Sequence, residues 1–312
     1  MASNKPSVFI DGEAGSTGVE IRRRLEMVPE VRLHSLPETQ RKDPSARQDM
    51  MAACDLAVLC LPDEAAREAV ALARELGSDA PKLLDASTAH RIDPEWTYGF
   101  PEMAPDQPGK IATSDNVSNP GCYPTGAIGL LRPLVQAGLV PPDHPITING
   151  VSGYSGGGKA LIEAHDRAGG PPFELYALGL EHKHVPEIQL FAGLSRRPIF
   201  MPSVGHFRQG MLVSIPLYLD DLPERPTGTD LREILRAFYA GSEHVAVAIG
   251  NGHDKLEPEA LNGTNRLELH VCVNEARRHA VLVARLDNLG KGASGAAVQN
   301  LRLMLDLDPA PG

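Results

Sequence analysis

The chain has 312 residues, 42% of them hydrophobic and 22% charged, with a formal net charge of -10 at pH 7. This is the profile of a soluble globular protein large enough for two domains. An acidic balance without a long basic run excludes nucleic acid as a partner, and no apolar run reaches the ~20 residues a membrane span needs. Any anion this protein binds must be met by individually placed Arg or Lys side chains. The start, "MASNKPSVFIDG", has no apolar signal region, and Cys54, Cys60, Cys122 and Cys272 show no CxxC spacing. Reduced thiols and a cytoplasmic location are expected.

"SVFIDGEAGSTGVEIRRRL" (7–25) opens with a short apolar strand and continues into an amphipathic helix from about Thr17. Between them Gly12, Gly15 and Gly18 give G-x-x-G-x-x-G, a spacing that lets backbone N–H groups approach a pyrophosphate at a helix N-terminus. Gly12, Gly15, Ser16, Thr17 and Gly18 are the expected cofactor contacts. The pattern departs from G-x-G-x-x-G, so a plain strand-to-helix turn is the competing explanation. The second strand, "VRLHS", ends without the Asp or Glu that would hold a ribose 2′-hydroxyl, whereas Ser35, Arg41 and Lys42 suit a 2′-phosphate. NADP(H) is favoured over NAD(H).

"CDLAVLCLP" (54–62) reads as a parallel strand buried on both faces, "DEAAREAVALARELG" as a helix, and "PKLLDAS" as another strand. This alternation predicts an α/β parallel sheet covered by helices. Beyond Cys122, "PITINGVSGYSGGG" and "MLVSIPLYL" read as strands and "LREILRAFYAG" as an exposed helix. "RLELHVCVNEARRHAVLVARLDN" reads as an antiparallel hairpin turning near 274–278. The second part is therefore expected to be an α+β domain, after which "KGASGAAVQNLRLMLDL" is helical again.

Within "SNPGCYPTG" (118–126), Cys122 stands just before a helix that Pro124 can enter. A helix N-terminus stabilises a thiolate, and the flanking Pro and Gly suit a functional loop more than an inert buried thiol. Both explanations stand on these residues alone. Cys54, Cys60 and Cys272 lie in apolar strand-like runs and read as inert. A nicotinamide cofactor with a thiolate suggests attack on an activated acyl group followed by hydride reduction of a thioester, which requires a proton shuttle and an anion clamp.

"YALGLEHKHVPEIQLFAGL" supplies His182, His184 and Glu187. Because Val185 precedes Pro186, the HKH stretch is expected to be extended, with both histidines on one side. A proton shuttle, a metal site and a structural pair are the alternatives, and no further ligand cluster supports the metal. "MPSVGHFRQGM" adds His206 as a second shuttle and Arg208. Arg91, after the strand in "DASTAHR", suits a phosphate. "SGYSGGGK" (152–159), with Ser155 and Lys159, suits close backbone approach to an anion. Solvated surface charge is the competing explanation for Arg91, Lys159 and Arg208.

The blocks 9–21, "DASTAHR", "YGFPEM", "NPGCYPTGAI", "SGYSGGGK", "EHKHVPEI" and "LDNLGKGASGAAVQN" (286–300) occur in an order that resembles the N-acetyl-γ-glutamyl-phosphate reductase family, in its short form, of the semialdehyde dehydrogenase group. The resemblance implies a Rossmann-type doubly wound domain over 1–121 completed by 286–312. Between these portions it implies a catalytic and oligomerisation domain with a mostly antiparallel sheet over 122–285. It further implies NADPH, an acyl-phosphate substrate, and a homo-oligomer, dimer or tetramer. Cys122 falls on the nucleophile and His182 on the acid/base, with His184 a close candidate and Glu187 in support. Arg91 matches a phosphate position of related aspartate-semialdehyde dehydrogenases. Residues 288–295, with Asn288, Lys291 and Gly292, would pass beside the nicotinamide. Lys183 and Lys159 stand where the longer form carries arginine, and His206 has no counterpart there, although related semialdehyde dehydrogenases carry a histidine in a similar G-H sequence. The rivals are an aspartate-semialdehyde dehydrogenase-like enzyme, a cysteine hydrolase and a catalytically silent NADP(H)-binding sensor.

Overall fold

A computed structural model describes residues 5–249 and 255–308. The chain forms two compact units, Met1–Pro120 with Ala293–Pro311, and Gly121–Gly292. In the first unit, β1 (Ser7–Asp11), α1 (Ser16–Leu25), β2 (Arg32–His34), α2 (Pro44–Ala52) and β3 (Leu56–Leu59) follow one another. Then come α3 (Asp63–Glu75), β4 (Lys82–Asp85), β5 (Thr97–Tyr98), α4 (Gln107–Thr113) and β6 (Asn116–Ser118). The strands form one sheet in the order β2-β1-β3-β4-β6-β5, with every pairing parallel.

Successive residues of a strand face opposite sides, so a strand covered on both faces must be apolar throughout. That is how β1 and β3 are built. Val8, Ile10, Leu56 and Val58 join one core with Ile21 and Leu25 of α1. Phe9, Ala57 and Leu59 join the opposite core with Met51 of α2 and Ala69 and Val70 of α3. Helix ends follow the local chemistry. Asp43 caps α2 by accepting the Ser45 N–H at 3.0 Å and Pro44 takes the first helical position. Asp63 and Glu64 start α3, and Arg74 sits in its last turn, each matching the helix dipole.

In the second unit, α5 (Cys122–Gln136) leads to β7 (Thr147–Gly153), α6 (Gly158–Ala168), β8 (Phe173–Leu175) and α7 (Val185–Ala192). It continues through β9 (Ile199–Gly205), β10 (Met211–Tyr218), α8 (Gly228–Phe238), β11 (Val245–Val247), β12 (Leu267–Asn274) and β13 (His279–Leu286). The sheet order is β11-β12-β13-β10-β7-β9-β8. It is mixed: β11 with β12 and β7 with β9 are parallel, and the remaining pairings are antiparallel. The expected hairpin is β12–β13, paired from Leu267↔Leu286 to Asn274↔His279. The stretch read as a strand through its glycines leaves β7 at Gly153, makes a 3-10 turn at Tyr154–Gly157 and starts α6. The chain then returns to the first unit with α9 (Gly295–Met304), whose Ala297, Val298 and Leu301 join the α1 core.

Gly12 shows what the first unit demands of its sequence. It has φ +89°, and a Cβ there would run into the Cys60 carbonyl of the adjoining strand end. Gly12→Ala should therefore lower the unfolding free energy by at least ~2 kcal/mol, combining backbone strain with a clash that no side chain can relieve. Urea denaturation followed by circular dichroism measures this, and a change within ~0.5 kcal/mol would contradict the tight-turn account.

Candidate active site

Cys122 is the first residue of α5, one step further into the helix than its neighbours suggested, and is half-buried. The cap residue Gly121 is extended (φ -74°, ψ 153°), and no side chain caps the first turn, leaving the helix N-terminus to favour negative charge at its mouth. Gly121 is held from both ends. Its N–H donates to Glu187 Oε1 at 2.8 Å, and its carbonyl accepts the Thr125 N–H and Thr125 Oγ1, each at 2.9 Å. On the other side Gly292 comes so close that a Cβ there would lie 2.8 Å from the Cys122 Cβ. Burial raises Cys54 to about 11 and also lifts Cys60 and Cys272, keeping those thiols protonated and inert.

The histidines arrive by a different route from the one the sequence predicts. Residues 182–184 are not extended: His184 is in the αR region (φ -83°, ψ -12°) and α7 begins at Val185. Val185 N–H donates to the His182 carbonyl at 3.0 Å, and His184 N–H donates to His182 Nδ1 at 3.1 Å. These bonds close a turn and override the usual preference of a residue before proline; Pro186, in the first helical turn, lacks an N–H that would be unpaired there anyway. The two rings nevertheless converge, 4.7 Å apart, and both lean on the Tyr123 ring, at 6.2 and 6.0 Å. Tyr123 donates to the Ser203 carbonyl at 2.9 Å, with the Tyr176 hydroxyl in its hydrogen-bonding environment. Burial, with the Cys122 charge adding, pushes Tyr176 up to about 12.

His182 is pushed down from 6.5 to about 4, first by burial and then by the Lys183 charge. At neutral pH it is a neutral imidazole. Because Nδ1 accepts the His184 N–H, the remaining proton sits on Nε2 and is available for donation. Neither tyrosine is prominent in the sequence; Tyr123 adjoins the cysteine, but Tyr176 is an isolated aromatic before the HKH stretch.

Two other expected site residues of this unit, Asn288 and Ser155, belong to a brace. Asn288 Oδ1 accepts the Gly210 N–H at 2.7 Å, and its Nδ2 donates to Ser155 Oγ at 2.9 Å. Asp287 Oδ2 accepts Gln209 Nε2 and the Gly263 N–H at 2.6 and 2.8 Å. Lys291, in the π turn Gly290–Ser294, is only 1% exposed. Arg208 reaches Asp166 at 3.4 Å, and Lys159 is exposed in the first turn of α6. His206 lies against His165, Nδ1 to Nδ1 2.8 Å, beside Tyr154.

In the first unit, Gly12, Gly15, Ser16, Thr17 and Gly18 form the link from β1 into α1, whose first turn has no side-chain cap and no acid. Ser35 follows β2 and meets Glu13, Arg22 and the neighbourhood of Arg41. Open helix N–H groups beside a cationic corner fit a dinucleotide with a 2′-phosphate. Arg91 is buried after β4, in a turn fixed by Asp85, which accepts Ser87 Oγ at 2.8 Å and pairs with His90 Nδ1 at 2.6 Å. His90 in turn stacks on Trp96, 4.3 Å between centroids. Among the described residues no group of three or more His, Cys, Asp or Glu side chains is gathered as metal ligands, and no helix is long and apolar enough to cross a membrane.

Residues 7–111 match the family described as semialdehyde dehydrogenase, NAD binding domain, and residues 122–288 match semialdehyde dehydrogenase, dimerisation domain. The fold agrees: aspartate semialdehyde dehydrogenase II from Vibrio cholerae, complexed with ASA, superimposes with a TM-score of 0.71 at 16% identity, covering 97% of this chain and 99% of its own. The aspartate semialdehyde dehydrogenase with NADP from Candida albicans gives a TM-score of 0.66 at 14% identity, over 96% and 98% of the two chains. A Burkholderia cenocepacia protein named N-acetyl-gamma-glutamyl-phosphate reductase is 54% identical, over 98% of this chain and 99% of its own. Pseudomonas putida N-acetyl-gamma-glutamyl-phosphate reductase 2 is 52% identical, over 96% and 97%. The chain belongs to the semialdehyde dehydrogenase family and, within it, to the N-acetyl-γ-glutamyl-phosphate reductases.

The His182 geometry gives a pH prediction. Nitrogen-detected NMR should find a neutral His182 with its proton on Nε2 at pH 7, titrating only near pH 4. A native pKa below the ordinary 6.5 stabilises the fold fully above that value, and this contribution is lost as pH falls from 6.5 through about 4. Titration of His182 near 6.5, or an Nδ1–H tautomer, would contradict the arrangement.

Proposed function

We propose that this protein reduces N-acetyl-γ-glutamyl phosphate to N-acetylglutamate 5-semialdehyde with NADPH, releasing phosphate, as a step of arginine biosynthesis. The observation that carries the reading is identity of about half of all positions, along the full length, with proteins bearing that name; Cys122, held at the start of α5, supports it. The first unit takes the cofactor on Gly12, Gly15, Ser16, Thr17, Gly18 and Ser35, and the second performs the acyl chemistry. The Cys122 thiolate attacks the acyl carbon, the acyl–phosphate bond breaks, and a thioester forms. Arg91 and Lys159 receive the departing phosphate, while Ser155 and Arg208 contact the substrate. NADPH, when bound, supplies the hydride that reduces the thioester carbonyl.

His182, neutral and carrying its proton on Nε2, donates to the developing oxyanion, as a preorganised hydrogen-bond donor should. His184 stands 4.7 Å from it, ring to ring, as the alternative donor. Glu187 acts through Gly121 rather than on the substrate, fixing the residue that precedes the nucleophile. The thiohemiacetal then collapses, releasing the aldehyde and regenerating the thiolate. We also propose a cytoplasmic homo-oligomer, dimer or tetramer. The exposed apolar residues Phe173 and Leu175 on the edge strand β8, with Leu178, Leu180 and Ile199, support this.

Two measurements test the reading. N-acetylglutamate semialdehyde with phosphate should give NADP+ reduction, and aspartate semialdehyde should not; equal rates would remove the substrate assignment. Cys122→Ser should lose activity by a factor of order 10⁴, because a serine hydroxyl ionises far less readily than a thiol, while its melting temperature and NADPH binding stay unchanged. Retention of more than about a tenth of the activity would rule out the thioester route.

A further inference from the structure

We propose that Glu13 sets how strongly this protein distinguishes a 2′-phosphorylated nucleotide from one with a free 2′-hydroxyl, its carboxylate holding the place where the phosphate is received. The inference rests on the NADPH reading above. In a doubly wound fold the end of the second strand receives the adenine ribose: an acid there takes the 2′-hydroxyl and cations take a 2′-phosphate. The β2 segment itself, Arg32–His34 and then Ser35, carries no acid. The structure brings one in from elsewhere. Glu13, in the glycine loop after β1, extends to the β2 end with its side chain only 10% exposed.

Its two oxygens engage the donors a phosphate would use. Oε1 accepts Arg41 Nη2 at 2.8 Å. Oε2 accepts Arg22 Nη1 at 2.9 Å and Ser35 Oγ at 2.8 Å, while Arg22 Nη1 also reaches Ser35 Oγ at 2.6 Å. The other neighbours are accounted for: Arg22 Nε pairs with Glu26 at 3.2 Å, and Arg41 Nε donates to the Leu36 carbonyl at 3.3 Å. A 2′-phosphate must displace the Glu13 carboxylate from both guanidinium groups, whereas a 2′-hydroxyl can leave it in place and donate to it. Glu13 thus lowers the preference that Arg22, Ser35 and Arg41 would give alone, and its loss should widen that preference.

The test is calorimetric titration of the full chain with adenosine 2′,5′-bisphosphate and with 5′-AMP, read as the ratio of their affinities. Melting temperature serves as the check on folding. Glu13→Gln should raise the ratio in favour of the bisphosphate by roughly two- to fivefold, the scale of one partly exposed charge pair. Glu13→Asp, too short to span both arginines, should shift it the same way by a smaller factor, and Arg41→Ala should lower it. An unchanged or lowered ratio in both Glu13 variants would overturn the proposal, making the carboxylate an organiser of the arginines or a bystander. A wild-type ratio near one, insensitive to Arg41→Ala, would instead overturn the NADPH reading on which the proposal stands.

Discussion

The Glu187 carboxylate is 1% exposed, and a carboxylate that buried is costly unless its oxygens are met by donors. One donor is the Gly121 N–H, at 2.8 Å. Gly121 is the cap of α5 and its carbonyl is held by Thr125, so this single bond ties α7 to the start of α5. Cys122 follows directly, and its freedom is further limited by the approach of Gly292. The histidine turn hangs from the same helix, because His184 is the cap of α7. Moving Glu187 would move the thiol and both imidazoles together.

Nearly the whole of α5 from Tyr123 to Leu131 is buried, rather than one apolar stripe. A helix so enclosed rests on packing on all sides, and its interior Pro133 is tolerated because the Gly129 carbonyl, which loses its helical N–H partner, accepts the Tyr239 hydroxyl at 2.9 Å. The active-site geometry is therefore set by the core. Loops refine it: Asn288 and Asp287 join the segments at 155, 209–210 and 263 through side-chain bonds to backbone N–H groups, a hydroxyl and a side-chain amide. Residues expected at the cofactor or substrate thus also hold the second unit's loops in register.

The parallel sheet was legible because burial on both faces leaves unbroken apolar runs such as "DLAVLCLP", and the β12–β13 hairpin because alternation survives in antiparallel pairs. The place of Cys122 at a helix start was legible because Pro124 suits the first turn and an apolar helical pattern follows it. What stayed hidden depended on distant partners. The turn at His182 is closed by that residue's own Nδ1 and carbonyl, against the rule for a residue before proline. The glycines ahead of α6 masked a helix whose periodic part begins only after them. Glu13 meets Ser35 across 22 residues of sequence, so inspection of the β2 end found no acid where the fold supplies one.

The chain carries a net charge of -10, yet the reaction proposed for it handles a phosphorylated acid and a polyanionic dinucleotide. A general basic field is absent, so attraction must be local, from cations that stay within contact range of their ligand. For the proposed reaction the candidate cations of the first unit are Arg22 and Arg41 at the β2 end and Arg91 in its braced turn. Glu13 is the local counterweight to these cations: its carboxylate occupies Arg22 and Arg41, so a phosphate is favoured there only as far as it outcompetes that carboxylate. In the second unit the charge is managed in the opposite way, since His182 is kept neutral by burial and by Lys183. A buried imidazole kept uncharged avoids the desolvation cost that a buried imidazolium would carry.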